Sequence, residues 1–306
     1  MTVQHPEIVQ PSYRGRFAPS PTGALHLGSL LAAVASWLRA RSQGGAWLVR
    51  IEDIDPPRER PGASAGILAT LADFGLASDE PVLFQSTRAA AYQAALDALV
   101  ASGQAFPCHC SRQDVRARGG HHGPCAPDAG SKSAPAWRLR VPAGTIGFED
   151  RLQGPQSLDP AAGEGDFVLR RSDGLWAYQL AVVVDDHAQG ITEVVRGSDL
   201  LDSTPRQIVL QQALRLPTPG FLHLPVLLDD DGRKLSKQHL SMPVDGGDPL
   251  PALRQVLALL GVPPALRQPT VPPARLLADA VGGFEIGRLP GGVSLRSAAW
   301  RAVANR

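Results

Sequence analysis

The sequence predicts an α/β fold built on a parallel sheet, and three segments near the N-terminus carry that prediction. Residues 14–19 read as a short strand ending in a turn that holds Pro19, Pro21 and Gly23. Residues 26–41 then place Leu27, Leu30, Leu31, Val34, Trp37 and Leu38 on one helical stripe. Residues 46–51 form an apolar strand that runs into Glu52, Asp53 and Asp55. Strand, helix and strand in that succession make a βαβ unit, whose two strands lie parallel.

The elements that follow extend this plan. Helices are expected over residues 63–74 and 88–102. From residue 108 to about 165 the chain is rich in Gly, Pro and charge and has few periodic runs, which reads as an insertion between two halves of the sheet domain. Strand signals return at 167–170, 180–184 and 191–195, then a helix at 201–214 and a last strand at 222–228. Residues 229–232 form a turn that opens the loop carrying Lys234. Beyond Asp248 the pattern is helical, broken by prolines. The expected organisation is a flexible leader (1–12), a first half of the sheet domain (13–107), a metal-bearing insertion (108–166), a second half (167–240) and a short helical C-terminal region (241–306).

Composition excludes little but bounds the class. With 43% hydrophobic residues in 306, a sizeable core can be buried. Apolar runs fall short of a membrane span, and the polar N-terminus lacks the pattern of a secretory signal. A cytoplasmic, monomeric chain is expected. A net charge of +1 neither favours nor excludes RNA. Residues 251–306 hold seven Arg against Asp279 and Glu285, so that tail is a solvated basic face or an RNA contact.

Two motifs suit phosphate. Arg16-Phe-Ala-Pro-Ser-Pro-Thr-Gly-Ala-Leu-His-Leu-Gly-Ser29 takes the chain from a strand through a turn into a helix N-terminus. Such a terminus offers free N–H groups and a positive dipole end. His26 can donate to a phosphate oxygen, and Gly28 keeps the backbone open to a nucleotide. Lys234-Leu-Ser-Lys-Gln238 sets Lys234 and Lys237 on a loop that can follow charge on a transferring phosphoryl group.

In this order and separation, the two motifs resemble the "HIGH" and "KMSKS" signatures of class I aminoacyl-tRNA synthetases. The segments Ile51-Glu-Asp-Ile-Asp55 and Val195-Arg-Gly-Ser-Asp-Leu200 narrow the resemblance to the glutamyl/glutaminyl subclass. It spans residues 13–240 and implies a Rossmann-type catalytic domain that binds ATP with Mg²⁺. Pro19, His26, Gly28, Ser29 and Lys237 fall on its ATP side, with His26, Lys234 and Lys237 catalytic. Ser29 stands in place of the second His of "HIGH", and the loop reads KLSKQ.

Glutamate carries two carboxylates and one ammonium. Arg16 and Arg196 can take carboxylates bidentately, Glu52 can pair the ammonium, and Ser20 and Tyr178 offer hydroxyls. The resemblance to glutamyl-tRNA synthetases puts these five residues on glutamate-contacting positions. Which Arg takes which carboxylate stays open. An amide side chain would not call for two arginines, which disfavours glutamine. The competing structural reading is an ion pair between Glu52 and Arg196.

Cys108, Cys110 and Cys125 are odd in number and clustered, which argues for a metal rather than a disulfide framework. With His121 they make four soft ligands suited to a tetrahedral structural Zn²⁺. His109 and His122 are rival ligands by adjacency. The glutamyl-Q tRNA(Asp) synthetases, short relatives of the glutamyl enzymes, carry a Cys-x-Cys and Tyr-x3-Cys zinc site here, and His121 stands where their tyrosine stands.

Only 68 residues follow Gln238, too few for a full anticodon-reading domain. That combination resembles the same short family. The resemblance implies tRNA-independent formation of glutamyl-adenylate from L-glutamate and ATP. It further implies transfer of glutamate to queuosine at the wobble position of tRNA(Asp). The rivals are an enzyme charging the 3′ end of tRNA(Glu), a non-catalytic RNA-binding paralogue, and a metabolic nucleotidyltransferase that activates another small acid.

Overall fold

A computed structural model describes residues 12–121, 125, 134–162, 165–234, 244, 246–267 and 270–296. Residues 1–11 of the expected leader, and Lys237 and Gln238, lie outside the described residues. In chain order the elements are β1 (Arg14–Phe17), α1 (Leu27–Ser42), β2 (Ala46–Ile51), α2 (Ala63–Asp73), β3 (Leu83–Phe84), α3 (Ala89–Ala101) and β4 (Ala105–Cys108). Next come α4 (Arg112–Ala117), β5 (Ala136–Leu139), β6 (Ile146–Asp150), β7 (Gly154–Leu158), β8 (Val168–Arg170) and α5 (Tyr178–Ala188). The chain continues with β9 (Glu193–Gly197), α6 (Thr204–Ala213), β10 (Gly220–Leu224), β11 (Val226–Leu227), α7 (Pro249–Leu259), α8 (Pro273–Val281) and β12 (Ser294–Leu295).

The expected βαβ unit is present. β1 and β2 pair in parallel, Arg16 opposite Leu48, and β3 continues the sheet beyond β2 in parallel. On the other side β9 lies beside β1, and β10 and β6 follow β9 in parallel. Thr192 N–H donates to Arg14 O at 2.9 Å where the two groups of strands meet. Strand order therefore runs outward in opposite directions from β1 and β9. The carboxyl ends of two such strands leave the crevice where parallel α/β sheets take ligands.

The main core forms where α1 packs between this sheet and the C-terminal helices. Leu30, Val34 and Leu38 of α1, Trp47 and Ile51 of β2, Leu222 of β10, Leu253 and Leu257 of α7, and Leu276 and Leu277 of α8 are all buried there. The residues beyond Asp248 thus share the core of the catalytic sheet. Prolines break their helical pattern by starting helices: Pro249 and Pro273 stand at first helical positions, which need no N–H donor. A second core joins α3, α5 and the antiparallel sheet β4–β5–β8. The segment read as an irregular insertion holds α4, β5, β6 and β7, and its β6 joins the large sheet beside β10.

One expectation fails. Residues 180–184, read as a strand, lie in helix α5. A short run of Leu, Ala and three valines looks the same whether it is a buried strand or a helix buried nearly all round. Leu180, Ala181, Val182 and Val183 are indeed buried, and so are Asp185 and Asp186 in the next turn. Asp185 accepts from Tyr92 Oη at 2.6 Å, Gln85 Nε2 at 3.0 Å and Arg88 Nε at 3.0 Å. These bonds tie α5 to α3 and make the buried carboxylate tolerable. Asp185→Ala is expected to lower unfolding free energy in urea by roughly 3 kcal/mol, since it strands the donors that face the carboxylate. The same substitution at exposed Asp97 is expected to change it by less than about 0.5 kcal/mol.

Candidate active site

A cavity of about 290 Å³ opens at the carboxyl ends of β1 and β9. Its walls bring together Arg16, Pro19, Ser20, His26, Gly28, Ser29, Glu52, Tyr178, Arg196 and Lys234. Every sequence-predicted glutamate-side residue lines it, as does every predicted nucleotide-side residue among those described.

On the nucleotide side, His26 caps α1. Ser29 N–H donates to His26 Nδ1 at 3.2 Å, and Ser29 Oγ lies 3.1 Å from His26 Nε2. Ser29 therefore orients the imidazole over the helix N-terminus. Gly28 permits this fold-back. A Cβ at position 28 would come within 3.2 Å of His26 Cε1, tighter than side chains normally pack. The sequence reading gave Gly28 to the nucleotide, and the side chain that a Cβ there would meet is that of His26. Lys234, about half exposed, reaches Asp199 Oδ2 at 2.5 Å. That pair joins the loop base to the short helical turn after β9.

On the amino-acid side, Arg16 is buried and grips Asp186 through Nε at 3.0 Å and Nη2 at 3.2 Å. Arg50 Nη1 donates to the same carboxylate at 2.7 Å and to Gln189 Oε1 at 2.8 Å. Arg50 Nη2 meets Glu52 Oε1 at 3.4 Å. Glu52 thus pairs with Arg50, and the competing Glu52–Arg196 ion pair does not form. Burial pushes the Glu52 carboxyl above its ordinary value, although Arg50 and Arg16 pull against it. Burial likewise opposes ionisation of Asp186, but there Arg16 and Arg50 outweigh it and the carboxyl is held low.

Arg196 differs from the other two guanidiniums. Nε donates to His223 Nε2 at 3.0 Å, Nη1 to Gln207 Oε1 at 2.9 Å, and Nη2 to Thr204 Oγ1 at 2.9 Å and Leu200 O at 3.2 Å. A fifth contact, from Nη1 to Tyr178 Oη, is long at 3.5 Å. All five acceptors are neutral, and among the described residues no carboxylate lies within ion-pair distance. The residue is only 5% exposed, and burial lowers the guanidinium's pKa without taking its charge away at neutral pH. A cation desolvated in this way favours an anionic ligand in the cavity.

The sequence reading missed Asp186, Arg50, Asp199, Gln207, Thr204 and His223. The adjacent acids Asp185 and Asp186 after an apolar run were the one local sign, since acids seldom enter such a helix without partners.

The four expected metal ligands also come together. Ligand atoms of Cys108, Cys110, His121 and Cys125 all lie within 4.8 Å of one another. Cys110 Sγ and Cys125 Sγ are 3.7 Å apart, close to the ~3.8 Å edge of a tetrahedron with 2.3 Å metal–sulfur bonds. His121 Nε2 faces Cys125 Sγ at 3.0 Å, while Nδ1 lies 3.1 Å from Asp166 Oδ2. That carboxylate fixes the ring so that Nε2 points at the thiols, as the partners of metal-bound histidines do. Gly165, at φ 64°, lets the chain press against His121 O, and Asp166 N–H bonds that carbonyl at 2.7 Å. His109 stands outside the cluster, and His122 lies outside the described residues. The cysteines form no disulfide. Burial and the neighbouring thiols push Cys125 up to about 12, whereas at Cys108 burial is outweighed by hydrogen bonds from Cys125, Cys110 and Arg138, which hold it low. The donor set and its geometry fit a tetrahedral metal.

Comparison with known proteins shows the family. The catalytic domain of the class I tRNA synthetases (E and Q) matches residues 12–131 and 128–271. The glutamyl-Q tRNA(Asp) synthetase of Xanthomonas campestris pv. campestris is 60% identical over 287 residues, 94% of this chain and 96% of that protein. The chain belongs to the glutamyl-Q tRNA(Asp) synthetase family. The Burkholderia cenocepacia relative is 57% identical over 83% of this chain and 90% of its own length. Among solved structures, a glutamate tRNA ligase from Elizabethkingia meningosepticum, in complex with its amino acid, superposes with a TM-score of 0.78. It is 25% identical, with 96% of this chain and 68% of that one covered. The fold is thus that of a class I tRNA synthetase catalytic domain. Among the described residues no helix is long and apolar enough to cross a membrane.

The opposed pKa shifts give a pH signature. A carboxyl held low in the fold adds stability above its unfolded value and loses it as pH falls through the folded value. Asp186, held below the ordinary 3.8, is of that kind. Glu52, pushed up, has the opposite sign. The stability difference between wild type and Asp186→Asn, measured by urea unfolding, is therefore expected to be constant above about pH 5 and to shrink below about pH 4. A difference independent of pH would contradict the assignment.

Proposed function

We propose that this protein activates L-glutamate with ATP and transfers the glutamyl group to queuosine at the wobble position of tRNA(Asp). The observation that carries the amino-acid choice is the buried Arg196, surrounded by neutral acceptors beside the acid Glu52. Glutamate supplies a carboxylate to Arg196 and an ammonium to Glu52. Its carboxylate can displace the long Tyr178 contact. In this reading Arg196 takes the side-chain carboxylate, so glutamine, with a neutral amide there, would leave the guanidinium with neutral partners only. Arg16, Ser20 and Tyr178 complete the amino-acid pocket in this reading. Pro19, His26, Gly28 and Ser29 receive ATP, with Mg²⁺ on its phosphates.

In the first step the glutamate α-carboxylate attacks the α-phosphorus, and pyrophosphate leaves. His26, the α1 N-terminus, Lys234 and Lys237 stabilise the charge that develops. In the second step a hydroxyl of the queuosine cyclopentenediol attacks the acyl carbon, and AMP leaves. Positioning suffices here because the acyl group is already activated. A second cavity of about 620 Å³ supports the acceptor step. It shares Ser20, Thr22, Glu52 and Tyr178 with the first and extends past Arg116 and Trp176 toward the Cys/His cluster. A nucleoside entering it would meet the adenylate at the shared wall.

The acceptor follows from relatives 57–63% identical that bear the glutamyl-Q tRNA(Asp) synthetase name. Labelled glutamate with ATP is expected to mark queuosine-containing tRNA(Asp) and to leave its unmodified transcript and tRNA(Glu) unmarked. Label at the 3′ end of tRNA(Glu) would overturn the acceptor. Lys237→Ala is expected to cut glutamate-dependent pyrophosphate exchange by about a hundredfold with the melting temperature unchanged; undiminished exchange would remove Lys237 from its role.

Cys108, Cys110, His121 and Cys125 are proposed to hold one structural Zn²⁺, which would staple the segment between β4 and β5. One zinc per chain is expected in freshly purified protein. Asp166→Asn is expected to weaken zinc retention against a chelator roughly tenfold or more.

A further inference from the structure

Behind Arg196 lies a buried chain of polar groups that the proposed chemistry leaves unused. His223 on β10 is 0% exposed, and Asp150 at the end of β6 is 1% exposed. His223 Nδ1 lies 2.6 Å from Asp150 Oδ2, and His223 Nε2 lies 3.0 Å from Arg196 Nε. Asp150 is further fixed by backbone N–H groups: Leu152 and Gln153 donate to Oδ1 at 3.0 and 2.9 Å, and His223 N–H donates to Oδ2 at 3.1 Å.

The two ends of the imidazole demand one tautomer. A carboxylate accepts only, so Nδ1 must carry the proton. A guanidinium donates only, so Nε2 must present its lone pair. A doubly protonated ring would set N–H against N–H. Burial, with Arg196 close by, keeps His223 below the ordinary histidine range despite Asp150.

We propose that Asp150 and His223 are positioning residues for the substrate carboxylate, acting through Arg196. The inference rests on the glutamate reading given above. Its physical logic is separation. Arg16 is held by a carboxylate directly, through Asp186, and that charge is spent within the protein. Arg196 is held on the same kind of anchor but with a neutral imidazole between. The carboxylate orders the guanidinium without touching it, so the full positive charge stays available to a ligand. Gln207 and Thr204 fix the remaining edges with neutral oxygens. A direct acid at position 223 would compete with the substrate.

Asp150→Asn tests this. Its amide oxygen stays with the Leu152 and Gln153 N–H groups and keeps the His223 N–H, which also reaches Oδ1 at 3.3 Å, so the amide NH₂ takes the place of Oδ2 and faces Nδ1. The ring proton moves to Nε2 and confronts the Arg196 Nε–H. Glutamate KM in ATP–pyrophosphate exchange is expected to rise tenfold or more, while ATP KM changes less than twofold and the melting temperature stays near that of wild type. His223→Gln, which keeps an oxygen acceptor for Arg196, is expected to lose less than His223→Leu. In an Arg196→Lys background, Asp150→Asn is expected to add no further rise. Unchanged glutamate KM in Asp150→Asn, or equal losses of glutamate and ATP affinity, would overturn the inference alone. So would a rise that persists in full in the Arg196→Lys background. A wild-type protein that shows no glutamate-dependent exchange would overturn the glutamate reading, and this inference with it.

Discussion

The buried guanidinium of Arg196 sets the terms for the rest of the site. Removing a cation from water costs several kcal/mol unless hydrogen bonds and an opposite charge offset the loss. Here the hydrogen bonds are complete and the opposite charge is missing. The fold therefore holds a state that is improved by an anionic ligand. Such a state persists only if the surroundings over-determine it, and they do. β9 supplies the backbone, α6 supplies Thr204 and Gln207, and β10 supplies His223. The parallel pairing of β9 with β10 sets His223 opposite Arg196 in register.

The second half of the pocket solves a related problem differently. Arg16, Arg50, Asp186 and Glu52 form a buried network in which Asp186 is shared by two guanidiniums. That sharing leaves Glu52, among the described residues, with one long ion-pair contact, and burial holds its carboxyl high. An acid in that condition gains from an ammonium partner. Arg196 and Glu52 are thus under-compensated in opposite senses, on two walls of one cavity. An amino acid with an acidic side chain relieves both.

Much of this was legible in the sequence because the signals were local. The α1 stripe, the Pro/Gly turn before it and the strand at 46–51 gave the βαβ unit with accurate bounds. The resemblance to glutamyl-tRNA synthetases set Arg16, Ser20, Glu52, Tyr178 and Arg196 together, and one cavity holds all five. Residues 180–184 were misread because five apolar residues carry no period that separates a strand from a buried helix. Asp186, His223 and Asp150 were missed for a different reason. Their partners lie 170, 27 and 73 positions away in sequence, and only the fold brings them together, through sheet register for His223 and Asp150 and through the placement of helix α5 for Asp186. The same holds for Asp166, whose contact with His121 depends on a close backbone crossing at Gly165. Ligands within a motif are readable from spacing, whereas the groups that orient them are not.

The central claim is that Arg196 is an unneutralised charge kept for the substrate's side-chain carboxylate. Comparing glutamate with glutamine in ATP–pyrophosphate exchange tests it most directly, because the two differ only in that charge. The account predicts a kcat/KM for glutamate at least about a hundredfold above that for glutamine, since a site built around a buried polar group strongly rejects the analogue that leaves it unmatched. Equal exchange with the two amino acids would contradict it.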